Sequence, residues 1–163
     1  GGMLYLWMIS LIFYRYTFFP FAPSDLSPPY WINMGAMAIS TLAGASLTRN
    51  SVDAWFLHSV APFLKGFTIF YWATGTWWIP MLLILGVWRH VYMRFPLRYD
   101  PLYWGALFPL GMYAVATHQM SEVMGFHFLD GLSIGFSWSA LGGWGRRFAA
   151  YLAGFLKVSE APG

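Results

Sequence analysis

The sequence predicts an all-α, polytopic membrane protein with about five transmembrane helices. Charged residues make up only 9% of the chain, whereas hydrophobic residues make up 58%. An average soluble protein has roughly 25% charged residues. The apolar residues also form runs of about the length that crosses a bilayer as a helix. Short segments that hold most of the prolines and arginines separate these runs.

Composition and motifs argue against several other classes of protein. The formal net charge of +3 is too small to indicate a nucleic-acid-binding protein. The chain has no cysteine, which excludes disulfides and thiolate chemistry. A G-x-S-x-G pattern occurs as GLSIG at residues 131–135, but it lies inside an apolar, predicted membrane span rather than between a strand and a helix, so it does not indicate a hydrolase. We therefore expect no enzymatic activity, no cofactor and no nucleic-acid partner.

The first predicted span covers residues 3–19. Its apolar run, from Gly1 to Tyr14, extends over roughly 21 Å as a helix, which is shorter than a hydrocarbon core of about 30 Å. We therefore expect the sequence to be the C-terminal part of a longer protein. Four prolines follow within residues 20–29 and predict a stiff, non-helical connector.

The second span, residues 30–48, has no charged residue and has small residues four positions apart. These are Ala36, Ser40, Gly44 and Thr48, and Asn33 lies near the same helix face. Such a face is typical of close packing between membrane helices. It is equally compatible with the wall of a narrow polar path, and the two interpretations can hold together.

The third span, residues 66–88, is rich in aromatic residues and contains Pro80. Residues 54–64 precede it and are interrupted by Pro62, so we interpret them as an interfacial lead-in. Ser51 or Asp53 is the predicted N-cap of that segment.

The fourth span, residues 101–120, begins at Pro101, because proline is favoured at the first helical position. In its middle, Pro109 has no N–H for the Gly105 carbonyl and crowds it. We therefore predict a helix bent near its centre, with the ring of Phe108 at the bend. Such a helix is tolerated where it faces protein or a water-filled cavity, so this span is the first candidate for a pore wall.

The fifth span, residues 126–145, is rich in glycine, which lowers helix stability. We expect this span to end at Arg146-Arg147, so that a membrane domain covers residues 1–145 and a tail covers residues 146–163, with an amphipathic or frayed helix through Lys157. With five spans, one side holds most of the basic residues, and the positive-inside rule places that side in the cytoplasm. The predicted location is the inner (plasma) membrane, with a cytoplasmic C-terminus.

Two histidines and one acid suggest a different chemistry. His118 and Glu122 are four residues apart, and His127 is close in sequence. This spacing is compatible with metal ligands or a proton relay on one helix face. A membrane-embedded metal- or haem-binding redox subunit is therefore an alternative function, although we predict no metal site.

Three stretches resemble one transporter family. They are PPYWINMGAMAISTLAG at residues 28–44, WATGTWWIPM at residues 72–81, and WRHVYMRFPLRYDPLYWGALFPLGMYAVATHQM at residues 88–120. They are similar to the tellurite-resistance/C4-dicarboxylate transporter family, part of the slow-type or voltage-dependent anion channel superfamily, which includes malate permeases and sulfite pumps. The resemblance covers about residues 3–130.

The resemblance implies a ten-helix fold of five hairpins, of which this chain supplies helices six to ten. It implies a homotrimer of the full-length chain, in which each subunit has its own pore. The second and fourth spans would be inner, pore-lining helices, and Phe108 would be the gate of the pore. The residues expected to line it are Asn33, Ala36, Ser40, Gly44, Gly105, Pro109 and Gly111.

The resemblance also implies a function. The chain would be part of a transmembrane anion channel or transporter for C4-dicarboxylates, sulfite, nitrate or chloride. Arg89, Arg94 and Arg98 would attract anions to the cytoplasmic mouth, or would only set the orientation in the membrane. Half of the pore is missing from this sequence, and the glycine-rich last segment departs from an ordinary tenth helix. A non-conducting fragment is therefore a third reading.

Overall fold

The computed structural model describes residues 1–20, 22–26, 28–52, 54–96 and 104–159. Over these residues the chain is helical and has no strand, which confirms the all-α prediction. The five helices are α1 (Gly2–Phe18), α2 (Ile32–Arg49), α3 (Trp55–Val87), α4 (Trp104–Met124) and α5 (Asp130–Ser159). Shorter helical turns lie at Pro28–Trp31, Asn50–Val52 and His127–Leu129, and a π-helical turn at Trp88–Tyr92 extends α3.

Two helices extend beyond the predicted spans. Helix α3 begins at Trp55 and runs through Pro62, so the predicted interfacial lead-in is its first part. Its N-cap is Ala54 rather than Ser51, whose hydroxyl donates to the Thr48 carbonyl instead. Asp53, the other predicted cap, lies outside the described residues. Helix α5 continues through Arg146-Arg147 to Ser159, so the helix expected in the tail through Lys157 is continuous with the fifth span.

Length and composition separate α3 from the other helices. In the part of the chain that the structure describes, Trp55–Tyr92 is the one helix long and apolar enough to cross a membrane. Helix α1 has 17 residues and extends over about 25 Å. Helices α2, α4 and α5 contain many Gly, Ser and Thr residues, which lower their hydropathy. The crossing of the bilayer by all five helices therefore stays a prediction.

Helix α2 is the centre of the bundle and packs against both α3 and α4. Its buried residues are Met34, Gly35, Met37, Ala38, Thr41, Ala45 and Thr48. Gly44 lies directly against Thr68 of α3, and Gly75 of α3 lies against Met37. Because small residues let helices approach closely, these contacts support the packing interpretation of the small-residue face at Gly44.

Polar side chains join α3 to α4. The Trp72 indole N–H donates to the Thr117 hydroxyl at 3.0 Å, and the hydroxyls of Thr76 and Tyr113 lie 2.7 Å apart. The rings of Trp72 and Tyr113 stack, with centroids 6.4 Å apart. Because Thr117 and Tyr113 are buried, these bonds replace hydration that the interior cannot supply.

Helices α1 and α5 lie at the periphery. Helix α1 has no buried residue, and Phe13 makes an edge contact with Trp77 of α3. Helix α5 packs along α4, where the Ser133 hydroxyl donates to the Ala114 carbonyl at 2.8 Å. At the start of α5, the Ser121 hydroxyl donates to the Asp130 carboxylate at 2.7 Å. These contacts fix α5 on the side of α4 away from α2.

The Trp72–Thr117 bond makes a prediction about stability. Thr117→Val keeps the shape of the side chain but removes the acceptor, which leaves a buried indole N–H unsatisfied at a cost of about 1–2 kcal/mol. We expect a lower midpoint of unfolding in detergent, measured by circular dichroism. The control is Thr74→Val on α3, because the Thr74 hydroxyl bonds only its own helix at the Phe70 carbonyl. Equal midpoints for the two variants would contradict the prediction.

Candidate functional site

One side of α4 is exposed along its whole length. Phe108, Val115 and Glu122 are exposed and follow one another at intervals of seven residues. Seven residues make nearly two helical turns, so these side chains lie above one another on one side of the helix. The ring of Phe108 is 57% exposed.

Helix α2 also has one exposed side. Ile32, Ile39, Ala43 and Leu47 are exposed, and Ala36 and Ser40 beside them are partly exposed. The helix buries its opposite side, which includes Met34, Met37, Thr41 and Ala45.

The two exposed sides belong to one surface. Ser46, at the edge of the exposed side of α2, donates to the Gln119 side chain of α4 at 3.4 Å. Thr117 lies on the opposite side of α4, where it accepts its bond from Trp72 of α3. Helix α3 therefore covers one side of the α2–α4 pair and leaves the other uncovered. We call the uncovered surface the open face, formed by Ile32, Ala36, Ile39, Ser40, Ala43 and Leu47 of α2 and by Phe108, Val115 and Glu122 of α4.

Phe108 also lines a groove that opens between α4 and α5. The groove has a volume of about 500 Å³ and is predominantly apolar. Its lining residues are Trp104, Leu107, Phe108, Gly111, Val115, Ser137, Ala140, Leu141 and Trp144. The Phe108 ring therefore lies at the edge of the open face, where this face meets the groove between α4 and α5.

The predicted lining residues fall into two groups. Ala36 and Ser40 lie on the open face, Asn33 is partly exposed near it, and Gly111 lines the groove. The others lie at contacts between helices: Pro109 is buried against Gly35, Gly44 lies against Thr68, and Gly105 has Ile32 as its neighbour. Pro109 also lies near the beginning of α4 rather than at its centre. Val115 also lies on the open face, although the sequence analysis did not select it. Its position seven residues after Phe108 was the pattern that could have identified it.

A polar pocket lies where α2 ends, α3 begins and α4 ends. It has a volume of about 470 Å³, and its lining includes Arg49, His58, Lys65 and Glu122. Arg49 and Glu122 form an ion pair with a closest distance of 3.4 Å, which links α2 to α4. Both side chains are about half exposed, so this pair contributes little to stability.

The histidine cluster divides into two pairs. Nε2 of His118 lies 3.7 Å from the Glu122 carboxylate, as the four-residue spacing predicted. His127 instead lies 3.7 Å from the Asp130 carboxylate. Among the described residues, no group of three or more His, Cys, Asp or Glu side chains is placed to hold a metal ion.

The arginines at the other end of the bundle differ from one another. The Arg89 guanidinium donates to the Leu26 carbonyl and lies 4.5 Å from the centre of the Phe95 ring. It therefore ties two connectors together. Arg94 is exposed and has a positive φ of 50°. Arg98 lies outside the described residues.

Comparison with known proteins gives one family. The model of the voltage-dependent anion channel family matches residues 1–151. An uncharacterized membrane protein of Mycobacterium tuberculosis (strain H37Rv) is 37% identical over 149 residues, which are 91% of this chain and 75% of that protein. Two uncharacterized transporters of Methanocaldococcus jannaschii are 30% and 28% identical over 138 residues, which are 85% of this chain but 39% and 38% of the transporters. No solved structure gives a significant match.

The contacts of Arg89 make a prediction that separates packing from charge. Arg89→Ala removes the link between the two connectors, so we expect a lower unfolding midpoint and faster cleavage of the connectors by chymotrypsin, whose sites neither Arg89→Ala nor Arg94→Ala removes. Arg94→Ala is the matched control because it removes the same charge from an exposed position. If both variants behave alike in both measurements, then Arg89 acts through its charge and not through these contacts.

Proposed function

The chain belongs to the voltage-dependent anion channel family, which confirms the resemblance of its sequence, and from this premise we propose that it forms one part of the wall of an anion-conducting pore. The conducted species are small anions of the C4-dicarboxylate, sulfite, nitrate or chloride class. The protein acts as a channel or transporter in the membrane. The names of its relatives, a membrane protein and two transporters, agree with this location and activity.

The observation that carries the proposal is the place of Phe108 on the open face. Helices α2 and α4 are the two that the resemblance makes pore-lining, and they share one uncovered surface. Helices α3 and α5 pack on the other sides of this pair, where the resemblance expects outer helices. Phe108 is exposed on that surface although it is one of the largest apolar side chains of α4.

A phenyl ring at this position could close the proposed pore by a simple mechanism. In a narrow apolar neck, a phenyl ring excludes water, and an ion cannot pass without its hydration shell or a substitute for it. Movement of the Phe108 ring out of the neck would admit water and so allow conduction. Because Gly35 lies against Pro109, the part of the open face level with Phe108 includes Ile32, Ala36 and Ile39 of α2, which are apolar. Water rather than a binding group would therefore accompany the anion through this neck.

The helices that would complete the wall of the pore must come from outside this chain. The chain supplies two of the predicted inner helices and spans about two-fifths of the length of the Methanocaldococcus transporters. We propose that inner helices of a longer polypeptide complete the pore and that such polypeptides assemble as trimers. A protein of these 163 residues that inserts in the membrane but conducts no anion would agree with the fragment reading.

The first test of the proposal removes the gate. We expect Phe108→Ala to raise anion flux into liposomes by about tenfold, which corresponds to a barrier lower by about 1.4 kcal/mol. The matched control is Phe63→Ala on α3, which removes an equally large and exposed ring away from the open face. The flux is measured with chloride and nitrate in protein that contains all the helices of its pore. An unchanged flux in a well-folded Phe108→Ala protein would refute the gate.

The second test asks whether water reaches the open face. This chain has no cysteine, so once any cysteine in the helices that complete the pore is replaced, a single introduced thiol is the target of a charged, membrane-impermeant reagent. We expect Ala43→Cys and Val115→Cys to be labelled faster than Ala73→Cys, which is exposed on α3 and would face lipid. An excess of the conducted anion should slow the first two reactions and not the third. Equal rates at all three positions would show that the open face is covered by lipid.

A further inference from the structure

Three consecutive side chains at the start of α4 point in three directions. In an α-helix, successive side chains are about 100° apart around the axis. Leu107 reaches α5, Pro109 reaches α2, and Phe108 lies between them. The direction of the Phe108 ring is therefore set by how closely its two neighbours approach the adjacent helices.

Pro109 rests on a glycine of α2. A Cβ atom added to Gly35 would lie 3.1 Å from Cγ and 3.2 Å from Cβ of Pro109, and 3.4 Å from its Cα. These distances are shorter than ordinary carbon contacts of about 3.5–4.0 Å. The pyrrolidine ring is rigid and Pro109 is fully buried, so the backbone of α4 itself would have to move.

Leu107 rests on a glycine of α5. The Cδ2 atom of Leu107 occupies the position that a Cβ atom of Gly143 would need. Leucine can change rotamer, so a side chain at residue 143 would displace Leu107 before it displaced the helix. The neighbouring glycine, Gly142, has no atom within 4 Å of its own Cβ position. The contact with Leu107 is therefore specific to Gly143 and does not involve Gly142.

We propose that Gly35 and Gly143 are positioning residues for Phe108. Each glycine leaves the space that one neighbour of Phe108 fills. Gly35 sets how closely the rigid Pro109 approaches α2, and Gly143 sets where the Leu107 side chain lies in the groove that Phe108 also lines. With both neighbours in place, the ring faces the open face rather than α2 or α5. The proposal rests on the proposed role of Phe108 in the pore, but its geometric part is measurable without any transport.

The first experiment measures the direction of residue 108 itself. Phe108→Cys gives the cysteine-free chain a single thiol, whose rate of labelling by a charged reagent reports its exposure. We expect Gly35→Ala and Gly143→Ala to change this rate by about threefold or more. The matched controls are Gly86→Ala and Gly142→Ala, because no atom lies within 4 Å of either Cβ position. These controls should leave the rate within about twofold.

A rescue separates positioning from a general loss of structure. Leu107→Ala removes the atoms that a Cβ atom at residue 143 would strike, so the double variant with Gly143→Ala should regain the labelling rate of Phe108→Cys alone. Pro109→Ala leaves the Cβ and Cα atoms of residue 109 at 3.2 and 3.4 Å from the added Cβ atom, so no such rescue is expected for Gly35→Ala. Should Gly35→Ala fail to fold, the Gly143 pair still decides the question. Labelling rates that follow the controls, or a Gly143→Ala rate that Leu107→Ala does not restore, would overturn the proposal.

Flux measurements distinguish this proposal from the proposed function. If Gly35 acts through Phe108, Gly35→Ala changes the anion flux in the native background but adds nothing to Phe108→Ala. Additive effects would overturn the positioning role. If the native protein carries no anion while the labelling rates respond to both glycines, the proposed function fails and the positioning of residue 108 stands. If Phe108→Ala raises flux but the labelling rates do not respond, the positioning fails and the gate stands.

Discussion

The packing of the whole bundle depends on close contact between one helix, α2, and two others, α3 and α4. In a membrane no hydrophobic effect drives helices together, so their association relies on close contact and on polar bonds. Helix α2 gains close contact through glycines: its Gly44 lies against Thr68 of α3, and its Gly35 lies against Pro109 of α4. These two contacts lie on different sides of α2 and set the positions of α3 and α4. The side that neither helix covers becomes the open face, so the candidate pore wall is a consequence of where the glycines lie.

Polar side chains then fix what the glycines bring together. Many hydroxyls of the bundle bond a carbonyl one turn earlier in their own helix, as Thr41 does with Met37 and Ser40 with Ala36. The bonds from Trp72 to Thr117 and between Thr76 and Tyr113 instead cross from α3 to α4. The Thr117 hydroxyl, for example, is buried and accepts from Trp72 of another helix rather than bonding only within its own. The sequence shows that a threonine is present in a span, whereas only the tertiary contacts show which of these two tasks it has.

The sequence was sufficient for the helical class, the order of the five helices, the family and the pairing of His118 with Glu122. It was not sufficient for the beginning of α3, because Pro62, which was expected to interrupt an interfacial lead-in, lies inside that helix. Within a bilayer an unpaired backbone group is costly, so a helix continues past a proline that would often end it in water. The sequence also did not separate a packing glycine from a pore-lining one. Both tasks require a small side chain, and the difference at Gly44 depends on Thr68, a residue of another helix.

The charges near the two ends of the bundle determine how the proposed pore would treat an anion. Arg49 is paired with Glu122 at one end, and Arg89 is bound to the Leu26 carbonyl and the Phe95 ring at the other. Between them, the open face of α2 has no charged side chain, and that of α4 has only Glu122 at its end. An anion on this path would meet no cation at close range, so its attraction comes from the summed field of the basic residues. Conduction requires that an ion be able to leave as readily as it enters, and a path without a tight binding group meets that requirement. In the proposed pore the barrier to passage would then reside in the neck, and the direction of the Phe108 ring would outweigh any single charge of this chain.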